Sequence, residues 1–177
     1  MSVFPDVRGC GSSDPPDRVP IIIVLDNIRS LYNTGAFFRT ADGCAAEKLV
    51  LCGITPRPDQ GARQQRAIAK TALGAEASVP WEYVADASDA VASAAAAGYH
   101  VAAIENSDRA IELYDWKPSW PVCLVFGHET SGVTPELAGR IATHVCIPML
   151  GEKRSLNVAT AAGVVLYELL RRFRLRA

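Results

Sequence analysis

Short, unbroken runs of β-branched and aliphatic residues are the feature that most narrows what this chain can fold into. Ile21 to Leu25 reads IIIVL, Lys48 to Cys52 reads KLVLC and Val122 to Phe126 reads VCLVF. None shows the alternation of a strand with one face in water. Such runs belong inside a sheet covered on both sides, which favours a parallel sheet with helices above and below.

The segments between the runs fit that expectation. After Asp26-Asn27, Thr34 is expected to cap a helix carrying Ala36, Phe37, Thr40 and Ala41, and Gly43 to end it. Ala62 to Leu73 reads as a second helix, following a Pro/Gly loop. Trp81 to Val84 is a further strand, and Ser88 is expected to cap an Ala-rich helix that Gly98 ends. YHVAAIE (99 to 105) is another strand, and Glu105 to Trp120 is irregular and crosses a surface. Thr134 and Pro135 open a short helix. A strand from Val145 to Met149 then leads through a charged turn to the last helix. Ala159, Ala162 and Gly163 form a small-residue stripe on that helix, which ends in four arginines suited to the negative end of its dipole. Strand and helix alternate throughout, as in α/β folds.

At 177 residues with 49% apolar content, one domain is expected. The division is a flexible lead-in over 1–20 and a single domain over 21–177. The lead-in lacks the charged start and apolar run of a secretory signal. No stretch approaches the roughly 20 apolar residues of a membrane span, so a soluble protein with no membrane partner is expected. Five cysteines without CxxC pairing suit a reducing cytoplasm, and three histidines without ligand spacing argue against a metal. A net charge of −1 leaves room only for local basic patches. Two exist. Arg57, Arg63, Arg66 and Lys70 are opposed by Asp59 alone, and the tail carries Lys153, Arg154, Arg171, Arg172, Arg174 and Arg176.

Several chemistries are excluded by missing motifs. There is no GxxxxGK[ST], GxSxG or HExxH, and no GxGxxG follows the first strand. In open parallel sheets ligands sit beyond the carboxyl ends of the strands, where NTGAFFR, GHETSG and MLGEKRSLN all fall. Three polar loops therefore converge on one edge.

NTGAFFRTAD (33 to 42), LVFGHETSGV (124 to 133) and IPMLGEKRSLNVATAAGVVLYE (147 to 168) resemble, in order and separation, the three motifs of the SpoU/TrmH branch of the SPOUT RNA methyltransferases. The likeness runs from about Ile21 to Arg172. It implies methyl transfer from S-adenosylmethionine to a ribose 2′-hydroxyl of structured RNA, tRNA or rRNA, without a metal. It also implies a C-terminal deep trefoil knot, which no residue pattern suggests, and a homodimer formed through the first and last helices. With only some 20 residues ahead of the first strand, the chain resembles the minimal members that lack an N-terminal RNA-binding domain. A catalytically inactive RNA-binding module and a base-modifying SPOUT enzyme are the alternatives.

The resemblance also assigns residues. Arg39 matches the arginine proposed in the family as base or activator. Since a guanidinium keeps its proton, holding a phosphate or stabilising the developing alkoxide is the better role. Asn33 matches the asparagine of the same motif, though a turn residue would look the same. Glu129, between Gly127 and Gly132, is expected to face Arg39 or an RNA group. Ser155 and Asn157 match the SLN of the third motif, with Ser155 doubling as the cap of the last helix. Ile104, Gly127, Ile147, Met149 and Leu156 stand where the family wraps the adenosine moiety with main-chain groups.

Overall fold

The computed structural model describes residues 18–176. The expected lead-in lies almost wholly outside them, and the first strand begins at Val19, two residues before the apolar run. Seven strands, β1 (Val19–Asp26), β2 (Ala46–Cys52), β3 (Trp81–Val84), β4 (His100–Ile104), β5 (Ile111–Glu112), β6 (Val122–Phe126) and β7 (Thr143–Cys146), form one sheet. Every pairing is parallel and the order is β3-β2-β1-β6-β4-β7-β5. The helices are α1 (Leu31–Gly43), α2 (Ala62–Ala72), α3 (Ala75–Ser78), α4 (Ala87–Ala96), α5 (Pro135–Arg140) and α6 (Val158–Arg174).

The unbroken apolar runs occupy the centre, as their composition requires. In β1, Ile21, Ile23 and Leu25 point to one face and pack with Phe37, Phe38, Val165 and Leu166 of α1 and α6. Ile22 and Val24 point to the other, with Val50, Val125 and the alanines of α4. Alternate side chains thus fill two cores, and a two-faced strand has no polar positions to spare. Burying each such side chain contributes about 1.5–3 kcal/mol. Phe37 of α1 meets Phe126 of β6 edge-on at 5.1 Å between ring centroids, which fixes α1 over the carboxyl end of the central strands.

Several local expectations need correcting. Ser30, not Thr34, caps α1, accepting from the Asn33 amide at 3.2 Å. Thr34 lies one turn inside, buried, with its hydroxyl on the Ser30 carbonyl. Asp86 rather than Ser88 caps α4. α2 ends at Ala72, with Leu73 as its left-handed cap. The segment expected to be irregular contributes the two-residue edge strand β5. β7 stops at Cys146, short of Met149. Pro148 has no N–H to give a ladder, and the chain turns away to begin the polar loop. Among the described residues no helix is long and apolar enough to cross a membrane.

After β7 the chain returns across the sheet, and α6 packs on α1, beside β1. The loop before α6 therefore passes over the carboxyl ends of the central strands.

Candidate active site

A cavity of about 330 Å³ opens at the carboxyl ends of β4, β6 and β7. Ile104 and Glu105 line it from β4, Phe126 and Gly127 from β6, and Val145, Cys146 and Ile147 from β7. Met149, Arg154, Ser155 and Leu156 close it from the returning loop. This is the crevice that an open parallel sheet offers to a ligand. All five residues expected to hold adenosine line it, and so do Glu129 and Ser155.

Gly127 explains the shape of the back wall. A Cβ there would stand 2.1 Å from the backbone of Gly132 and Val133, so only glycine lets the loop fold back onto its own strand. Gly132 is the other fixed point, with φ +73° and the Glu105 carboxylate against it. The second Glu105 oxygen, Oε2, accepts from the Val133 amide at 2.9 Å. That is the only hydrogen bond of this carboxylate among the described residues, and Glu105 was missed in the sequence. An acid directly after a buried strand, at the ligand edge of the sheet, is the signal that marks it.

The three motifs are joined by side chains. Glu129 accepts from the amides of Arg29 and Ser30, at 3.1 and 3.0 Å, and from the Asn33 side chain at 2.9 Å. The first two are donors at the start of α1, where no intrahelical partner exists and a negative charge is favoured. Burial raises the Glu129 carboxyl's pKa, but the bonds from Arg29, Asn33 and Ser30 outweigh it and hold the group below the ordinary value. Asn33 Oδ1 in turn accepts from Asn157 Nδ2 at 3.2 Å. Asn157 Oδ1 caps α6, accepting from Ala159 and Thr160 at 3.0 and 3.3 Å. Because that oxygen must face the helix amides, its NH2 must face Asn33, and the orientation of both amides is set by the network.

Two expectations about roles change here. Asn157, not Ser155, is the cap of α6, which suits the strong preference of asparagine for that position. Ser155 is left exposed on the cavity wall. Glu129 faces the start of α1 and not Arg39, because backbone donors already occupy it. Arg39 is exposed, six residues beyond Asn33 and about 9 Å further along the helix axis. It makes no hydrogen bond or ion pair among the described residues and does not line the cavity. Thus Asn33, Glu129, Ser155 and Asn157 are gathered, and Arg39 stands apart.

Burial pushes the thiols of Cys44, Cys52 and Cys123 up to about 11, 12 and 12, so they stay protonated small hydrophobes. Cys44, Cys52, Cys123 and Cys146 are all unpaired. The Asn106 side chain donates to the Arg154 carbonyl at 2.6 Å, tying the returning loop to the end of β4.

The model of the SpoU rRNA Methylase family matches residues 20–167. The tRNA (guanosine(18)-2′-O)-methyltransferase of Escherichia coli (strain K12) is 28% identical over 148 residues, which are 84% of this chain and 62% of that protein. The 23S rRNA (guanosine-2′-O-)-methyltransferase RlmB of Ralstonia nicotianae is 33% identical over 153 residues, 86% of this chain and 59% of that one. The chain therefore spans about three fifths of the length of these curated relatives. The crystal structure of an AdoMet-bound rRNA methyltransferase from Sinorhizobium meliloti superposes with a TM-score of 0.77 at 30% identity, over 89% of this chain and 58% of that one. With the three motifs joined by side-chain hydrogen bonds beside one cavity and the family model matching residues 20–167, the chain belongs to the SpoU rRNA Methylase family.

Proposed function

We propose that this protein transfers a methyl group from S-adenosylmethionine to a ribose 2′-hydroxyl of tRNA or rRNA. One observation carries the reading: Asn33, Glu129 and Asn157, from three separate motifs, form a single hydrogen-bonded set, and Glu129 lines the cavity. S-adenosylmethionine supplies a methyl group on a sulfonium when bound. The lining fits such a molecule, with Ile104, Ile147, Met149 and Leu156 as apolar surface for a base and Glu105 as the one sparsely bonded carboxylate for its hydroxyls or positive charge.

The chain's residues divide the work. Ile104, Gly127, Ile147, Met149 and Leu156 hold the adenosine, largely through main-chain groups. Glu129 and Asn157 keep Asn33 in one rotamer, so the start of α1 and the returning loop cannot drift apart. Ser155 presents its hydroxyl beside the transferring group. Arg39 holds an RNA phosphate or the charge that develops on the attacking oxygen. Fixing two reactants in near-attack geometry and stabilising that charge supplies most of the rate.

We further propose a homodimer over the exposed α1/α6 face and work in the cytoplasm. Tyr167 is 53% exposed there, and a Cβ on Gly163 would meet nothing within 4 Å, which leaves room for a second backbone. Four unpaired cysteines suit a reducing compartment. Passage of the tail through a loop of its own chain is the expectation for this fold.

The test is incubation with methyl-labelled S-adenosylmethionine and total RNA, followed by nucleoside digestion. Label in 2′-O-methyl nucleosides of tRNA or rRNA is the expected result. No label in either RNA would leave an RNA-binding module, and label on a base would make the protein a base-modifying enzyme. Light scattering checks the dimer.

A further inference from the structure

The two basic regions of the chain differ in whether the fold uses their charge. In the tail, Arg171 and Arg172 are bound to Glu168, and Arg172 also donates to the carbonyls of Leu113 and Tyr114, at 2.9 and 3.0 Å. Arg171, Arg172 and Arg174 sit in the last turn of α6, where the helix dipole favours cations, and Arg176 lies over the Trp120 ring. The charge of these four arginines has a use within the fold.

α2 offers no such account. Arg63, Arg66 and Lys70 fall on one stripe, opposite the buried Ile68 and Ala72, and all three are exposed. None forms an ion pair among the described residues, and the guanidinium of Arg66 has only the Ala62 carbonyl, on Nε at 3.1 Å. Arg63 lies in the first turn, which holds no acid, so the dipole opposes it and the neighbouring cations repel it. Lys70 lies in the last turn, where the dipole favours it, but Arg63 stands at the end where a helix stabilised for its own sake would carry an acid. α2 is also tied to the start of α1, because Thr71 donates to the Tyr32 carbonyl at 2.9 Å, and the next residue, Asn33, bonds to Glu129 of the cavity wall.

We propose that the outer stripe of α2, Arg63, Arg66 and Lys70, is the surface on which RNA docks by its phosphates. The inference rests on the reading that this protein acts on RNA, and it names the face that presents the RNA to α1. The mechanism is neutralisation of backbone charge with release of counterions. It is sequence-independent and strongly salt-dependent, and it leaves selection of the nucleotide to the cavity.

Affinity for unfractionated tRNA, measured against salt concentration, tests it. The triple variant Arg63→Gln, Arg66→Gln, Lys70→Gln should bind at least about 10-fold more weakly at low salt and lose about 2 from the slope of log K against log salt, at roughly 0.7 per phosphate contact. The pair Arg63→Lys, Arg66→Lys keeps the charge and should keep the slope, which separates charge from folding. The tail pair Arg174→Gln, Arg176→Gln should change neither. A triple variant with the parent's slope, or a tail pair that loses it, overturns the proposal. If that triple variant still labels RNA normally, only the docking face is wrong. A parent protein that binds no tRNA at any salt overturns both this inference and the RNA reading.

Discussion

The tail of α6 and the outer stripe of α2 have similar basic composition and opposite physical settings. Glu168 and Arg172 are only 12% and 17% exposed in their side chains, and Arg172 reaches the carbonyls of Leu113, Tyr114 and Trp116. The arginine thus stitches the end of α6 to the segment between β4 and β6. Next to it, Trp120 packs on Phe173 at 5.1 Å, with the Arg176 guanidinium 5.4 Å from the Trp120 ring. The α2 cations form no ion pair among the described residues, and their one hydrogen bond there is from Arg66 to the Ala62 carbonyl of the same helix. A basic cluster in a sequence is therefore not evidence of a polyanion site until its partners are counted. Arg39 belongs with α2 in this respect, since it too is exposed and unpartnered.

That contrast is open to attack at four points. Arg39→Ala should have the largest effect. Transfer is expected to fall at least about 100-fold, about 2.7 kcal/mol in the transition state, while cofactor affinity stays within a few-fold and stability within about 0.5 kcal/mol. Single-turnover transfer, a binding isotherm and a melting curve give the three readings. Loss of cofactor binding instead would move Arg39 out of the role assigned to it.

Arg172→Ala should come next, and on stability alone. Removing the donor leaves Glu168 with Arg171 alone and strands three carbonyls, a loss of about 2–3 kcal/mol in urea unfolding. A change below about 0.5 kcal/mol would dissolve the distinction between the two regions.

Glu168→Gln sharpens the same point through pH. The bond from Arg171, then the charge and bond of Arg172, hold the Glu168 carboxyl at about 2 against an ordinary 4.5, despite the opposing effect of burial. The unfolded chain therefore binds the proton more readily. The stability this contributes is complete above about pH 4.5 and is lost as pH falls toward 2. The variant should be less stable by about 1 kcal/mol at neutral pH and show a flatter slope of melting temperature between pH 2 and 4.5. Glu129, also held below its ordinary value, leaves a residual slope of the same sign. Arg174→Ala should have the smallest effect, within about 0.5 kcal/mol, because it is exposed and without a hydrogen-bonded partner among the described residues.

The sheet was readable from the runs because a strand buried on both faces has no reason to carry polar residues. Ile21 to Leu25 and Lys48 to Cys52 are the cores of β1 and β2, and Trp81 to Val84 and Val122 to Phe126 match β3 and β6 residue for residue. Caps were harder. Ser30 and Thr34 both sit near the start of α1, and Ser155 and Asn157 both near the start of α6. Propensity cannot choose between two competent side chains when the choice depends on where the previous segment enters. β5 escaped notice because a two-residue edge strand with both side chains exposed carries no periodicity. Glu105 escaped because its neighbours in space, Gly132 and Val133, lie 27 and 28 residues away.

By itself, the sequence determined the parallel α/β class, the strand positions and, through its three motif stretches, the kind of site to look for. Those follow from local composition and from residue types that a single stretch of chain can display. Only the tertiary structure decided that Asn33, Glu129 and Asn157 meet, that Arg39 does not join them, and that Arg171 and Arg172 are paired within the fold while Arg63, Arg66 and Lys70 form no ion pair among the described residues. Each of these is a pairing between groups distant in sequence, such as Asn33 with Asn157 across 124 positions, and pairings of that kind are set by how the chain returns over the sheet.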